Sequence, residues 1–129
     1  MINDMETKRK HFAFDNLEVY KKSLEVAKQV YALVRGFPDD EKFGLTSQLR
    51  RAATSICLNI AEGKGRGTDK DFARFLYQAR GSALEVIAAM QLAEMFGYVE
   101  SEDLDDLSEA IHHLTSKLTQ FIRALTSTS

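Results

Sequence analysis

Leu17, Tyr20, Leu24, Ala27, Tyr31 and Val34 recur at alternating spacings of three and four, which places all six on one seam of an α-helix. Val19, Val26, Val30, Leu33 and Phe37 form a second apolar stripe beside it. Asp15 and Glu18 stand just ahead in an Asp-x-x-Glu arrangement, whose carboxylates can satisfy the free amides of a first turn. The helix is expected to stop near Gly36 and Pro38, because glycine suits a left-handed exit and the residue before proline is pushed out of the helical region.

A second helix is expected to begin in the acidic stretch Asp39-Asp40-Glu41, to turn Leu45, Leu49, Ala52, Ile56 and Ile60 inward, and to end at Gly63. In the third, Thr68 is the N-cap with Asp71 three residues on, and Phe72, Phe75, Leu76, Ala79, Ala83, Val86, Ile87 and Met90 build a broad apolar surface up to Gly97. Ser101 caps the fourth, with Glu102 and Asp103 set favourably against its N-terminal dipole. Leu104, Leu107, Ile111, Leu114, Leu118, Phe121 and Leu125 then make another three-four seam. No segment alternates as a strand does. The chain therefore reads as all-α: an antiparallel up-down-up-down four-helix bundle about 30 Å long. It spans residues 14–126, between a flexible segment at 1–13 and a tail at 127–129.

The first and third helices are apolar over more of their circumference than one bundle needs, so other copies of the chain are expected to cover part of the surface. A chain of 129 residues with 44% hydrophobic and 28% charged side chains and a single proline is one globular, helix-rich domain. Cys57 is the one cysteine, set in the apolar run SICLNI, so an intrachain disulfide is excluded and a buried thiol is expected. No stretch approaches the roughly 20 apolar residues that span a bilayer, and MINDMETKRKH leads into no signal core. A cytoplasmic protein without membrane contact is the resulting expectation.

The net charge of −2 provides no global field for nucleic acid, but the charges are unevenly placed. Gln48 to Arg80 carries seven Lys and Arg against three acids, whereas Glu94 to Glu109 carries seven acids and no Lys or Arg. Within the basic half, Gly63-Lys64-Gly65-Arg66-Gly67 resembles a phosphate cradle. It matches neither GxxxxGK[ST] nor GxGxxG, and a helix precedes it instead of a strand. One reading makes it only a turn before the Thr68 cap. The other gives Lys64, Arg66 and Lys70 a single RNA or DNA phosphate at the start of helix three, with Arg50 and Arg51 extending the surface.

Asn59 shares the apolar seam of helix two, where an amide needs partners. Glu62, Ser82 and Glu85 occupy comparable positions, so a polar cluster of Asn59, Glu62, Ser82 and Glu85 that fixes helix register is expected. A catalytic role would require an open pocket and split carboxylate pKa values, so no enzyme is expected. His112 and His113 point about 100° apart on a helix, and the Glu109–His112 pairing occurs once where a di-iron bundle needs it twice. Neither a metal nor a cofactor is expected.

FDNLEVYKKSLEVAKQVY, QLRRAATSICLNIAEGKGR and DFARFLYQARGSALEVIAAMQLAEMFGYV, taken in order, resemble the bacterial four-helix-bundle proteins encoded in intervening sequences of large-subunit ribosomal RNA genes, which carry a ribosomal-protein-like label. The resemblance spans residues 12–125. It implies a homo-oligomeric ring, a homopentamer, and a distant relation to the accessory protein of diversity-generating retroelements. That relative is strongly basic and works with a reverse transcriptase and nucleic acid, whereas this chain is mildly acidic. The reading is a non-enzymatic scaffold that contacts structured RNA, DNA or a nucleic-acid enzyme. The alternative is a protein-only scaffold that docks a basic partner on its acidic 94–109 region.

Overall fold

A computed structural model describes residues 11–127, so the segment expected to be flexible at 1–13 and the tail at 127–129 fall largely outside the described residues. Four α-helices carry the fold: α1 (Glu18–Val34), α2 (Leu45–Lys64), α3 (Asp69–Met95) and α4 (Asp105–Thr126). Short 3-10 turns at Ala13–Asn16, Asp39–Glu41 and Ser101–Leu104 precede α1, α2 and α4. No strand occurs among the described residues. Each of α1 and α3 packs on both α2 and α4, so the helices stand at the corners of a square in up-down-up-down order.

The core follows the three-four spacing on three of the four helices. Leu45, Leu49, Ala52, Ile56 and Ile60 of α2 meet Leu76, Ala79, Ala83, Val86 and Met90 of α3 and Leu107, Ile111, Leu114 and Leu118 of α4, all buried. Ile87 and Phe121, expected inside, are only partly buried. Ile122 replaces Phe121 at the end of the α4 seam, because a straight helix drifts against a strict seven-residue repeat. On α1 the second stripe carries most of the core, joined by Val34 of the first. Val19, Val26, Val30, Val34 and Phe37 are buried, while Leu24 and Tyr31 of the first seam remain 47% and 40% exposed.

The helix starts differ from expectation because a 3-10 turn precedes three of the four helices and takes up the expected capping residues. Asp15 caps no α-helix: its carboxylate takes the Phe12 amide at 2.8 Å within the first 3-10 turn, and α1 begins without a side-chain cap. Asp39–Glu41 forms a separate turn, from which the Glu41 carboxylate reaches the Leu45 amide at 2.8 Å and so caps α2. Ser101 likewise heads a 3-10 turn, closed by the Asp103 carboxylate on the Glu100 amide at 2.9 Å. Only Thr68 caps as expected, accepting the Asp71 amide at 3.1 Å.

Glu41 also receives the Tyr98 hydroxyl at 2.6 Å, linking the α1–α2 connection to the α3–α4 connection. Tyr98 reaches it because Gly97, at φ +83°, ends α3 in a left-handed turn, with the Tyr98 amide on the Ala93 carbonyl at 2.9 Å. The Leu45 amide first, then the Tyr98 hydroxyl, hold the Glu41 carboxyl below its ordinary value. A carboxyl with a lowered folded-state pKa contributes stability that is complete above the unfolded carboxylate range and lost as pH falls through the folded value. Glu41→Gln is therefore expected to flatten the fall in urea midpoint between about pH 6 and 3. A slope equal to that of the unsubstituted chain would remove Glu41 from the acid limb.

Cys57 is buried, its Sγ 3.7 Å from the Ala53 carbonyl, and burial is the main cause that pushes its thiol above the usual range. Gly63, expected to end α2, lies inside the helix and is buried against α3. A Cβ at this position would stand 2.7 Å from the Phe75 Cβ and 3.0 Å from the Phe72 Cδ1.

Candidate functional site

The loop from α2 to α3 is short because Gly65 follows the last turn of α2 directly and Thr68 already caps α3. Among the described residues only Gly97 takes a positive φ, so Gly65 and Gly67 hold ordinary backbone angles and form no glycine-dependent cradle. Arg66 donates to the Glu62 carboxylate at 2.7 Å, and its guanidinium lies 4.6 Å from the Phe75 ring centroid. Arg74 lies at the same distance from that ring and 3.6 Å from Asp71. Two guanidiniums thus cover one aromatic ring, each with a carboxylate beside it. The Lys64 ammonium is 5.8 Å from the Phe72 ring. Lys70, in the first turn of α3, is exposed and has no partner among the described residues.

Arg50 and Arg51 do not join this site. They precede Lys64 by more than three helical turns, about 20 Å along α2. Arg50 lies over the Tyr31 ring at 5.3 Å, with its Nε buried and without a partner among the described residues. Arg51 donates to Gln48 at 3.1 Å. The five basic residues therefore divide into a group at the α2–α3 turn and a pair at the far end of α2.

The expected polar cluster also divides. The Asn59 amide donates to the Ser55 carbonyl at 2.9 Å and to its hydroxyl at 3.0 Å, and that hydroxyl meets Ser82 Oγ across the α2–α3 seam at 2.9 Å. Glu85 accepts from Gln48 at 2.9 Å in a separate rung. Glu62 is in neither, because it faces outward and pairs with Arg66 one turn further along. Ser55 was missed although it stands four residues before Asn59, a spacing at which helical side chains meet. These bonds tie α2 to α3 at defined heights.

Two contiguous surface grooves follow the α1–α4 seam, of about 590 and 710 Å³, and share Gln29 and Asp106. Glu25, Tyr98 and Asp103 line the first, and Glu109, His112 and His113 line the second. His113 Nδ1 accepts from the Lys22 ammonium at 3.2 Å. No group of three or more His, Cys, Asp or Glu converges as metal ligands would among the described residues.

Four packed α-helices with no strand among the described residues place the molecule in the class of helical-bundle proteins. More particularly, the family model described as 23S rRNA-intervening sequence protein matches residues 15–120, and the chain belongs to that family. The fold is similar to the crystal structure of a protein of unknown function from the S23 ribosomal protein family of Bacteroides thetaiotaomicron VPI-5482. The TM-score is 0.73 at 25% sequence identity, covering 81% of this chain and 98% of that one. No curated protein matches the chain. No helix among the described residues is long and apolar enough to cross a membrane.

Proposed function

We propose that this protein is a non-enzymatic helical scaffold that works as a ring of several copies, joined through the outward face of α3. The observation that carries this reading is a stripe opposite the core of α3. Tyr77, Leu84 and Leu92 are 50%, 56% and 41% exposed, with Gly81 and Ala88 exposed between them. The spacing of three and four keeps these residues on one line about 22 Å long. Gly81 is the informative member. A glycine inside a helix costs about 1 kcal/mol relative to alanine, and a Cβ here would meet nothing within 4 Å of its own chain. Close approach of another helix gives that glycine a purpose the isolated bundle lacks.

A second exposed apolar face lies elsewhere, with Leu24 and Tyr31 on α1 and Leu58, 66% exposed, on α2. Two different patches that pair head to tail generate a closed ring when the rotation closes. Leu84→Glu tests the assembly. Burying an unpaired carboxylate costs several kcal/mol, so association is expected to weaken at least a hundredfold or so per contact. Light scattering should then read the chain mass of 14.5 kDa, with unchanged helicity by circular dichroism. An undiminished mass would sink the α3 interface.

A second reading is a polyanion contact at Lys64, Arg66 and Lys70. Its support is the uncompensated charge of Lys64 and Lys70, repeated around a ring so that weak contacts combine. The partial neutralisation of Arg66 by Glu62 works against it. Chromatography followed at 260 and 280 nm decides: with four tyrosines and no tryptophan, the chain absorbs weakly. Bound nucleic acid would raise the 260 nm signal and leave with salt.

A further inference from the structure

We infer that the end of the bundle holding the α1–α2 and α3–α4 connections docks a cationic, amphipathic polypeptide segment of a partner protein, with Phe43 and Phe96 as its apolar anchors. The inference rests on the scaffold reading, of which it names a partner, but not on ring assembly.

The antiparallel order brings these two connections to the same end, where two contacts join them and a third packs Phe96 onto the joint. The Tyr98 hydroxyl is bonded to Glu41 at 2.6 Å, its ring packs on Phe37 at 5.5 Å, and Phe96 packs on Tyr98 at 5.7 Å. Phe43 follows Glu41 by two residues and is 90% exposed, the barest large apolar side chain in the described chain. Met95 and Phe96 are 70% and 50% exposed. Single exposed apolar residues are ordinary, but a group of large ones at one end, rimmed by polar residues, marks an interaction surface.

The rim selects the partner's charge. Asp39, Asp40, Glu94, Glu100, Glu102 and Asp103 are all exposed on the elements that carry the anchors. Opposing them are Arg35 and Lys42, and the Lys42 ammonium already lies 5.5 Å from the Phe43 ring centroid. The ring face thus holds a cation within its own chain, and a partner's Lys or Arg can take the same geometry. An acidic field of this kind steers cationic partners and repels nucleic acid and anionic lipid. Apolar anchors surrounded by carboxylates match a helix with a leucine-type face bordered by lysines.

The test uses the full chain and a fluorescein-labelled synthetic helix built of leucine and lysine, read by fluorescence anisotropy. Controls are the same peptide with glutamate for lysine and one with serine for leucine. The leucine–lysine peptide should bind more tightly than either control, and at least tenfold more weakly to a Phe43→Ser, Phe96→Ser double variant of unchanged helicity. Salt on the order of 0.5 M should weaken it further, while Leu84→Glu, outside the patch, should bind it as the unsubstituted chain does. That last result would stand even if light scattering showed no assembly, so failure of the ring and failure of the docking surface are distinguishable. Equal binding by the double variant, or by the glutamate peptide, overturns the proposal. So does a fall in assembly mass in the double variant, which would assign the patch to a second copy.

Discussion

Gly63→Ala is expected to destabilise the bundle even though it replaces glycine with the best helix former inside a helix. Propensity alone would favour the change by about 1 kcal/mol. The new methyl, however, would meet the Phe75 Cβ at 2.7 Å and the Phe72 ring at 3.0 Å. A Cβ is fixed to its backbone, so rotating a side chain cannot relieve the first contact and α3 must move from α2. Overpacking costs about 1–3 kcal/mol, with this backbone-linked contact at the upper end. A net loss of about 1–2 kcal/mol follows, read as a lower urea midpoint at unchanged slope. Gly67→Ala, where a Cβ meets nothing within 4 Å, is the matched control. A Gly63→Ala chain as stable as the parent would mean that the two helices are not in close contact there.

Leu76→Ala should cost still more. Leu76 is fully buried in the centre of the packing of α3 on its neighbours. Truncation removes the transfer energy of its methyl groups and leaves a cavity, about 2–5 kcal/mol in all. Leu84→Ala, only eight residues along the same helix, removes a side chain that is 56% exposed in the single chain. It should leave the stability of the dissociated chain within about 0.5 kcal/mol, and any further loss that depends on protein concentration belongs to the contact between copies. The contrast separates the core face of α3 from its outward face by chemical denaturation alone. Comparable losses at both positions would mean that the helix is turned differently from the orientation described.

The interiors of α2 and α4 were legible because one apolar stripe dominates each, and in the broader apolar surface of α3 the expected inward residues are buried except Ile87. Helix α1 has two apolar stripes, and periodicity cannot say which one meets the core. Val26 and Val30 are fully buried while Leu24 is not, a choice that α2 and α4 make. The helix starts failed for a related reason. Glu41 caps α2 from a separate turn, supported by Tyr98 at a sequence separation of 57, which no local cap pattern contains. Gly63 reads as a helix end when taken alone, and only the approach of Phe75 shows why glycine is needed inside the helix.

At the candidate site, local spacing already separates some residues and pairs others. Arg50 and Lys64 stand more than three turns apart on one continuous helix, so counting residues already separates them. Glu62 and Arg66, four residues apart, were a readable ion pair. The covering of Phe75 by Arg66 and Arg74 was not readable, since it needs the turn between α2 and α3 to fold both arginines onto one ring. The expected antiparallel order already sets Phe43 and Phe96 at one end of the molecule, but spacing could not show the Tyr98–Glu41 bond that ties the two connections there.

Static light scattering of the intact chain, at tens of micromolar and moderate salt, tests the central claim most directly. A ring of copies predicts a single species whose mass is several times the 14.5 kDa of one chain. A mass of 14.5 kDa across that range, identical for the parent and for Leu84→Glu, would contradict it.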